Sequence, residues 1–179
     1  MKLPICYYGN PILRKKGERI NEINDELRQF VQDMIETMIA NNGIGIAAQQ
    51  VGQALNIFIT HPPIDIEGSE WPADRPVRVF INPKITAYSE EEIIINEPCL
   101  SLPGISGDVR RPVRVTFEVT DLEGKTFIEE FDGFEARMMM HENDHINGVL
   151  YIDRMDKRDR KELEPALREI KKKYSKGHN

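Results

Sequence analysis

The stretch "MMMHENDHING" carries two histidines and a glutamate in the HExxH spacing: His141, Glu142 and His145. On a helix, residues i and i+4 share one face about a turn apart, so both imidazoles can address one ion. Glu142 stands beside the first histidine, where its carboxylate can reach a water on that ion rather than the ion itself. The ion lowers the pKa of the water toward ~7, and the carboxylate takes the proton as the water attacks. This is the chemistry of a metallohydrolase, but a catalytic zinc or iron site usually takes a third protein ligand.

Two regions can supply it. An endopeptidase would recruit a glutamate from a downstream helix, and Glu162, Glu164 and Glu169 lie at a suitable distance. They sit in a basic segment with no second metal-like motif. The extended HExxHxxGxxH form is absent, because "INGVLYID" follows His145. Upstream, Cys99 in "EPCLS" lies between an apolar strand and a Pro-Gly turn. A thiolate with two imidazoles makes a Cys-His-His site with an open fourth position. Taken alone, Cys99 reads as a small buried hydrophobe.

The elements that must position these residues are legible in outline. A chain of 179 residues with 40% hydrophobic and 30% charged side chains is expected to form one globular domain. The net charge of −6 argues against DNA or other general nucleic-acid binding. From Asp156 to Asn179 there are nine Lys/Arg and five Asp/Glu, so an acidic body carries a basic tail. The expected organisation is a catalytic body over 1–155 and a basic helical tail over 156–179 of the same domain. Two cysteines make no disulfide framework and suit a reduced, cytoplasmic setting. The start of the chain lacks a signal-peptide pattern, and no apolar run is long enough for a membrane span.

"NDELRQFVQDMIETMIANNG" predicts a helix with Leu27, Phe30, Val31, Met34, Ile35, Met38 and Ile39 on one face, Asn24 as N-cap and Asn42-Gly43 as its stop. "GIGIAAQQVG" reads as two glycine-flanked turns. "ALNIFIT", "VRVFINP" and "EEIIINE" read as strands, and "HPPIDIEGSEWPADRP" as a surface loop. "VRVTFEVTD" and "TFIEEFD" flank "LEGK" as a hairpin. "GFEARMMMHENDHING" is a helix ending at Asn147-Gly148, and "VLYIDRM" a short strand. The tail is helical, with Leu163, Leu167, Ile170 and Tyr174 in one stripe and Pro165 starting, kinking or interrupting it. The whole predicts an α+β domain.

Three motifs occur in order: "GIGIAAQQVG" at 43–52, "EPCLS" at 97–101 and "HENDH" at 141–145. Together they resemble those of the peptide deformylase family, GxGxAAxQ, ExCxS and HExDH. The resemblance runs from "GNPILRKKGERI" to "HINGVL". It implies antiparallel sheets around a central HExxH-bearing helix, with a C-terminal helix. The implied activity is removal of the formyl group from nascent formyl-methionyl peptides, releasing formate. The implied metal is Fe(II), replaceable by Zn, Ni or Co. Cys99, His141 and His145 are then the ligands and Glu142 the general base and acid. Gln50 and the backbone N–H of Leu100 are the donors to the formyl oxygen, where hydrolysis develops charge. Ile44 and Gly45, with Gly104 and Ile105, line the peptide channel; Ile95, Phe134 and Met138 form the methionine pocket. Glu97 and Arg111 form a pair that steadies the cysteine segment. The ribosome, met through the basic tail, is an implied partner.

Several residues depart from the family pattern: Gln49, Pro98 beside the cysteine, Ser106 where many bacterial members have a substrate-binding Arg, and Arg137 at a position usually apolar, where it is expected to narrow or charge the pocket rim. These departures motivate an alternative, a weakly catalytic deformylase-like protein that binds peptide or ribosome. Asp144 is left with one expectation, orienting a metal ligand.

Overall fold

The computed structural model describes residues 1–61 and 76–175. Most of the loop expected at 61–76 lies outside the described residues, as do positions 176–179 of the tail. The elements run α1 (Asp25–Ala40), β1 (Gly45–Ala47), β2 (Ile57–Thr60), β3 (Arg78–Tyr88), β4 (Glu92–Pro98), β5 (Ser106–Pro112), β6 (Arg114–Thr120), β7 (Thr126–Asp132), α2 (Gly133–Ile146) and α3 (Lys157–Ser175). Five strands form an antiparallel sheet in the order β1-β2-β3-β6-β7, and β4 pairs with β5 as a separate antiparallel hairpin. This is the expected α+β class.

Local chemistry explains the helix ends. The Asn24 side chain accepts from Leu27 N at 2.9 Å, capping α1. Its far end closes through Asn42, whose φ of 55° is in the left-handed region, with Gly43 N donating to Met38 O at 2.9 Å. The same closure ends α2: Gly148 has φ 74°, and Val149 N donates to Asp144 O at 2.9 Å.

The five-stranded sheet is apolar on both faces, which is why "IFIT" of β2 is a continuous buried run. On one face Ile46, Ile57, Ile59 and Ile81 meet Leu27, Val31, Met34 and Met38 of α1. On the other, Phe58, Phe80, Phe117 and Phe131 pack against Ala136, Met139 and Met140 of α2. Three of these ring pairs meet edge-on, the favourable geometry for aromatic quadrupoles. The helix bearing HExxH is thus seated on the sheet through the residues just before it. A third cluster joins Leu102, Val109, Leu150, Tyr151 and Met155 to Leu167 and Ile170 of α3.

Some expectations fail. Ile39 leaves the buried stripe of α1 and is 53% exposed. "GIGIAAQQVG" is a strand followed by a 3₁₀ turn over Ala48–Val51, not two turns. "VLYIDRM" holds a 3₁₀ turn at Tyr151–Asp153 instead of a strand. Pro165 lies inside α3 without ending it. Strand β5 goes unseen in the sequence because its inward residues are Gly107, Val109 and Arg111. Alternation that puts a glycine and an arginine inside has no apolar period to detect.

Candidate metal centre

Three elements converge on the site. His141, Glu142 and His145 lie on α2, Cys99 follows the end of β4, and Gln50 sits in the 3₁₀ turn after β1. The ligand atoms of Cys99, His141 and His145 all lie within 4.8 Å of one another. Cys99 Sγ and His145 Nε2 are 3.3 Å apart. Glu162, Glu164 and Glu169, the glutamates considered from sequence, stand in α3 and do not join this group.

The donor set fits one small divalent cation. His141 Nδ1 is engaged by Glu97 Oε1 at 2.8 Å, which leaves Nε2 as its outward nitrogen. Two buried atoms at the site, Glu142 Oε2 and His145 Nδ1, have no hydrogen-bond partner among the described residues. A thiolate and two imidazoles suit iron, zinc or their neighbours.

The electrostatics are uneven across the pair of histidines. Burial pulls His145 well below the ordinary imidazole value, and the neighbouring His141 adds to this. Burial also opposes protonation of His141, but the Cys99 sulfur and Glu97 carboxylate hold it well above that value. Glu142 is 5% exposed, and burial pushes its carboxyl up to about 7. Such a group exchanges a proton near neutrality.

Gln50 is fixed at both ends. Its Oε1 accepts from Ala47 N at 2.9 Å, which turns its Nε2 toward Ser101 Oγ at 3.2 Å and Cys99 Sγ at 3.6 Å. Sequence reading gave Ser101 no role. Among the described residues no carbonyl accepts from the Leu100 N–H.

A cavity of about 340 Å³ opens beside the ligands. It is lined by Ile44, Gly45, Gln50, Pro98, Cys99, Leu100, Phe134, Arg137, Met138, His141 and Glu142, with Asn42, Gly43, Asn96 and Glu97. Ile44, Gly45, Phe134 and Met138 are therefore where expected. Ile95, Gly104 and Ile105 are not in its wall. Ile95 is half-buried opposite Val109 in the β4–β5 hairpin, Gly104 lines a separate groove with α3, and Ile105 packs against the third core cluster. Gly45 is needed for closeness: a Cβ there would stand 2.7 Å from Glu142 Oε1.

Behind the ligands lies a buried ion network. Arg111 grips Glu97 with two bonds, at 2.6 and 2.9 Å, so the expected pair does meet. Burial alone would raise the Glu97 carboxyl, but the bonds from His141 and Arg111 hold it well below the usual carboxylate range. Arg137 lines the cavity, as expected, but does not leave its charge unpaired at the rim. Its guanidinium turns inward to Glu97 Oε2 at 2.7 Å and to the carbonyls of Val109 and Ile93, each at 2.8 Å. Asp144 orients no histidine directly; it accepts from Arg111 at 2.8 Å and from Arg154 at 2.7 and 2.8 Å. Its link to the site runs through Arg111, Glu97 and His141. Arg154 was the unsuspected member, lying ten residues beyond Asp144. Gln49 is buried and donates weakly to Lys15 O and Ile146 O, at 3.3 and 3.4 Å, tying the 3₁₀ turn to the end of α2. Pro98 closes β4 opposite Ser106.

Comparison with known proteins points one way. The family profile described as polypeptide deformylase matches residues 2–161. A peptide deformylase of Chlorobaculum parvum is 37% identical over 171 residues, spanning 96% of this chain and 89% of that protein. One from Methylacidiphilum infernorum is 39% identical over 184 residues, spanning 96% and 94%. A crystal structure of peptide deformylase from Plasmodium falciparum superposes with a TM-score of 0.87 at 34% identity, covering 98% of this chain and 99% of that one.

Proposed function

The chain belongs to the peptide deformylase family, and on that premise we propose that it hydrolyses the N-terminal formyl group of formyl-methionyl peptides, releasing formate. The observation that carries this reading is the convergence of Cys99, His141 and His145 beside Glu142, whose Oε2 has no hydrogen-bond partner among the described residues.

Cys99, His141 and His145 would hold one divalent ion, Fe(II) by family resemblance, with Zn, Ni or Co as substitutes. When bound, the ion activates water and polarises the formyl carbonyl. Glu142 is the general base and then the general acid. It takes a proton from the attacking water and delivers it to the departing amide nitrogen, leaving a free amine and formate. Gln50 Nε2 and the Leu100 N–H donate to the formyl oxygen as negative charge builds on it. The bond that fixes Gln50 Oε1 to Ala47 N supports this assignment, because it leaves the amide N–H groups facing Cys99. Phe134, Met138, Leu100 and Ile44 give the cavity an apolar wall suited to a methionine side chain.

The tail over 156–179 is read as part of the same folding unit, through Leu167 and Ile170 in the third core cluster. Helix α3 also exposes Lys157, Arg158, Lys161, Arg168, Lys171 and Lys172, which favours ribosomal RNA as a further partner. Reversing the charge of Lys171 and Lys172 would then abolish co-sedimentation with ribosomes; unchanged co-sedimentation refutes docking. No helix among the described residues is long and apolar enough to cross a membrane.

The test is formate release from a formyl-Met dipeptide by anaerobically loaded protein, beside an internally cleavable peptide. Formate without internal cleavage is expected. Bound peptide with bound metal and no formate would support the non-catalytic alternative instead.

A further inference from the structure

We propose that Arg137 is a positioning residue for the metal ligands, locking the hairpin that delivers Cys99 to the helix that delivers the two histidines. The inference rests on the metal-site reading above and extends it to a residue outside the family motifs.

The geometry is specific. Arg137 precedes His141 by one helical turn on α2, so the two side chains share a face. Its guanidinium reaches both strands of the β4–β5 hairpin, accepted by Ile93 O on β4 and Val109 O on β5, each at 2.8 Å. The same Nη1 that meets Val109 O also meets Glu97 Oε2 at 2.7 Å. Cys99 lies two residues beyond Glu97, just past the end of β4. One side chain therefore ties the histidine helix to both strands of the segment that carries the third ligand. Two further side-chain bonds cross the same seam, His141 with Glu97 and Arg111 with Asp144.

Arg137 also completes Glu97. That carboxylate receives two bonds from Arg111, one from Arg137 and one from His141, which occupies the roughly four acceptor positions of a carboxylate. Removing the Arg137 donor leaves Glu97 Oε2 held by Arg111 Nε alone, which loosens the carboxylate whose Oε1 orients His141. Lysine cannot substitute: its single ammonium lacks the planar fork needed to reach Glu97 and two carbonyls on different strands. Arg137 is 4% exposed, so an apolar replacement also leaves the Ile93 and Val109 carbonyls without their partner.

The experiment uses Co(II)-loaded protein, with Arg137→Met, Arg137→Lys and Arg78→Met. Arg78 is the control, since it pairs with Glu129 at 2.7 and 2.9 Å and lies over Phe80 and Phe131, away from the ligands. The readouts are the visible Co(II) spectrum, Co(II) affinity by chelator competition, and kcat with KM for formyl-Met peptide. Arg137→Met is expected to shift the spectrum, weaken Co(II) by ~10–100-fold, and lower kcat more than KM changes. Arg137→Lys is expected to fall between, and it carries the test alone should Arg137→Met not fold. Arg78→Met should lose thermal stability with the spectrum unchanged. An unshifted spectrum and unchanged affinity in the folded Arg137 variants would overturn the proposal, as would equal shifts in Arg78→Met. Failure of the wild-type protein to bind Co(II) through a thiolate would instead defeat the metal-site reading itself.

Discussion

Gly45→Ala tests how closely the glycine segment and the catalytic carboxylate are fitted. A methyl group at Gly45 would stand 2.7 Å from Glu142 Oε1 and 3.0 Å from its Cδ and Cγ. Comfortable contacts are ~3.5–4.0 Å, so the side chain must recede by ~0.5–1 Å. Glu142 has little room to do so, being 5% exposed on a helix whose Met139 and Met140 are seated in the sheet core. Overpacking of this kind costs ~1–3 kcal/mol, which in a chain of this size lowers Tm by roughly 2–12 °C. A catalytic group displaced by ~1 Å loses up to ~100-fold in rate. The three atoms nearest the added methyl all belong to Glu142 and none to a ligand, so metal content should stay at one ion per chain while kcat drops ~10–100-fold. Formate release, metal analysis and a thermal melt on the same preparation decide it. A kcat within ~2-fold of wild type would refute the argument that Glu142 is held against the backbone of β1.

Further outcomes follow from the same geometry. Cys99→Ser should weaken metal binding by orders of magnitude, measured by chelator competition; a nearly unchanged affinity would return the third-ligand role to a downstream glutamate. Leu167→Ala should lower unfolding free energy by ~2–4 kcal/mol in one cooperative denaturant transition, since Leu167 is buried in the cluster shared by α3 and β5. Two separated transitions would mean that the tail folds apart from the body. For the metal-free protein, Glu97 has a depressed folded-state pKa, maintained by His141 and Arg111 against burial. Its stabilisation is fully present above the unfolded value of ~4.5 and is lost as pH falls through the folded value. Glu97→Gln should therefore flatten the acid limb of stability against pH, and an unchanged slope below pH ~4 would contradict the buried network.

The sequence revealed the parts of this site that depend on spacing, and concealed those that depend on partners across the fold. His141, Glu142 and His145 are readable because a helix alone brings i and i+4 together. Cys99 is 42 positions from His141; alone it reads as a small buried hydrophobe, and only its combination with HExxH and the glycine-rich motif marked it. The network behind them was less visible. Arg137 looked like a charge intruding on an apolar pocket, because nothing local shows that Glu97 and two strand carbonyls wait on the other side. Asp144 was unexplained for the same reason: its partners, Arg111 and Arg154, come from β5 and from beyond α2. Strand β5 was missed since its inward positions include Gly107, where a Cβ would collide with Met155 Sδ, and Arg111. Burial there is satisfied by a close approach and an ion pair, not by apolar alternation. Ile95, assigned by motif position to the methionine pocket, pairs within the hairpin, while Gly104 and Ile105, assigned to the peptide channel, lie beside α3 and the third core cluster.

Glu142→Gln gives the most direct check of the central claim. The substitution keeps the size of the side chain and removes its ability to take a proton, while leaving Cys99, His141 and His145 intact. Metal content and formate release from a formyl-Met peptide would be measured on the same sample as wild type. The account predicts one metal ion per chain in both proteins and a loss of at least ~100-fold in kcat for the variant. Retained turnover with the metal in place would contradict Glu142 as the proton carrier, and with it the proposed hydrolytic site.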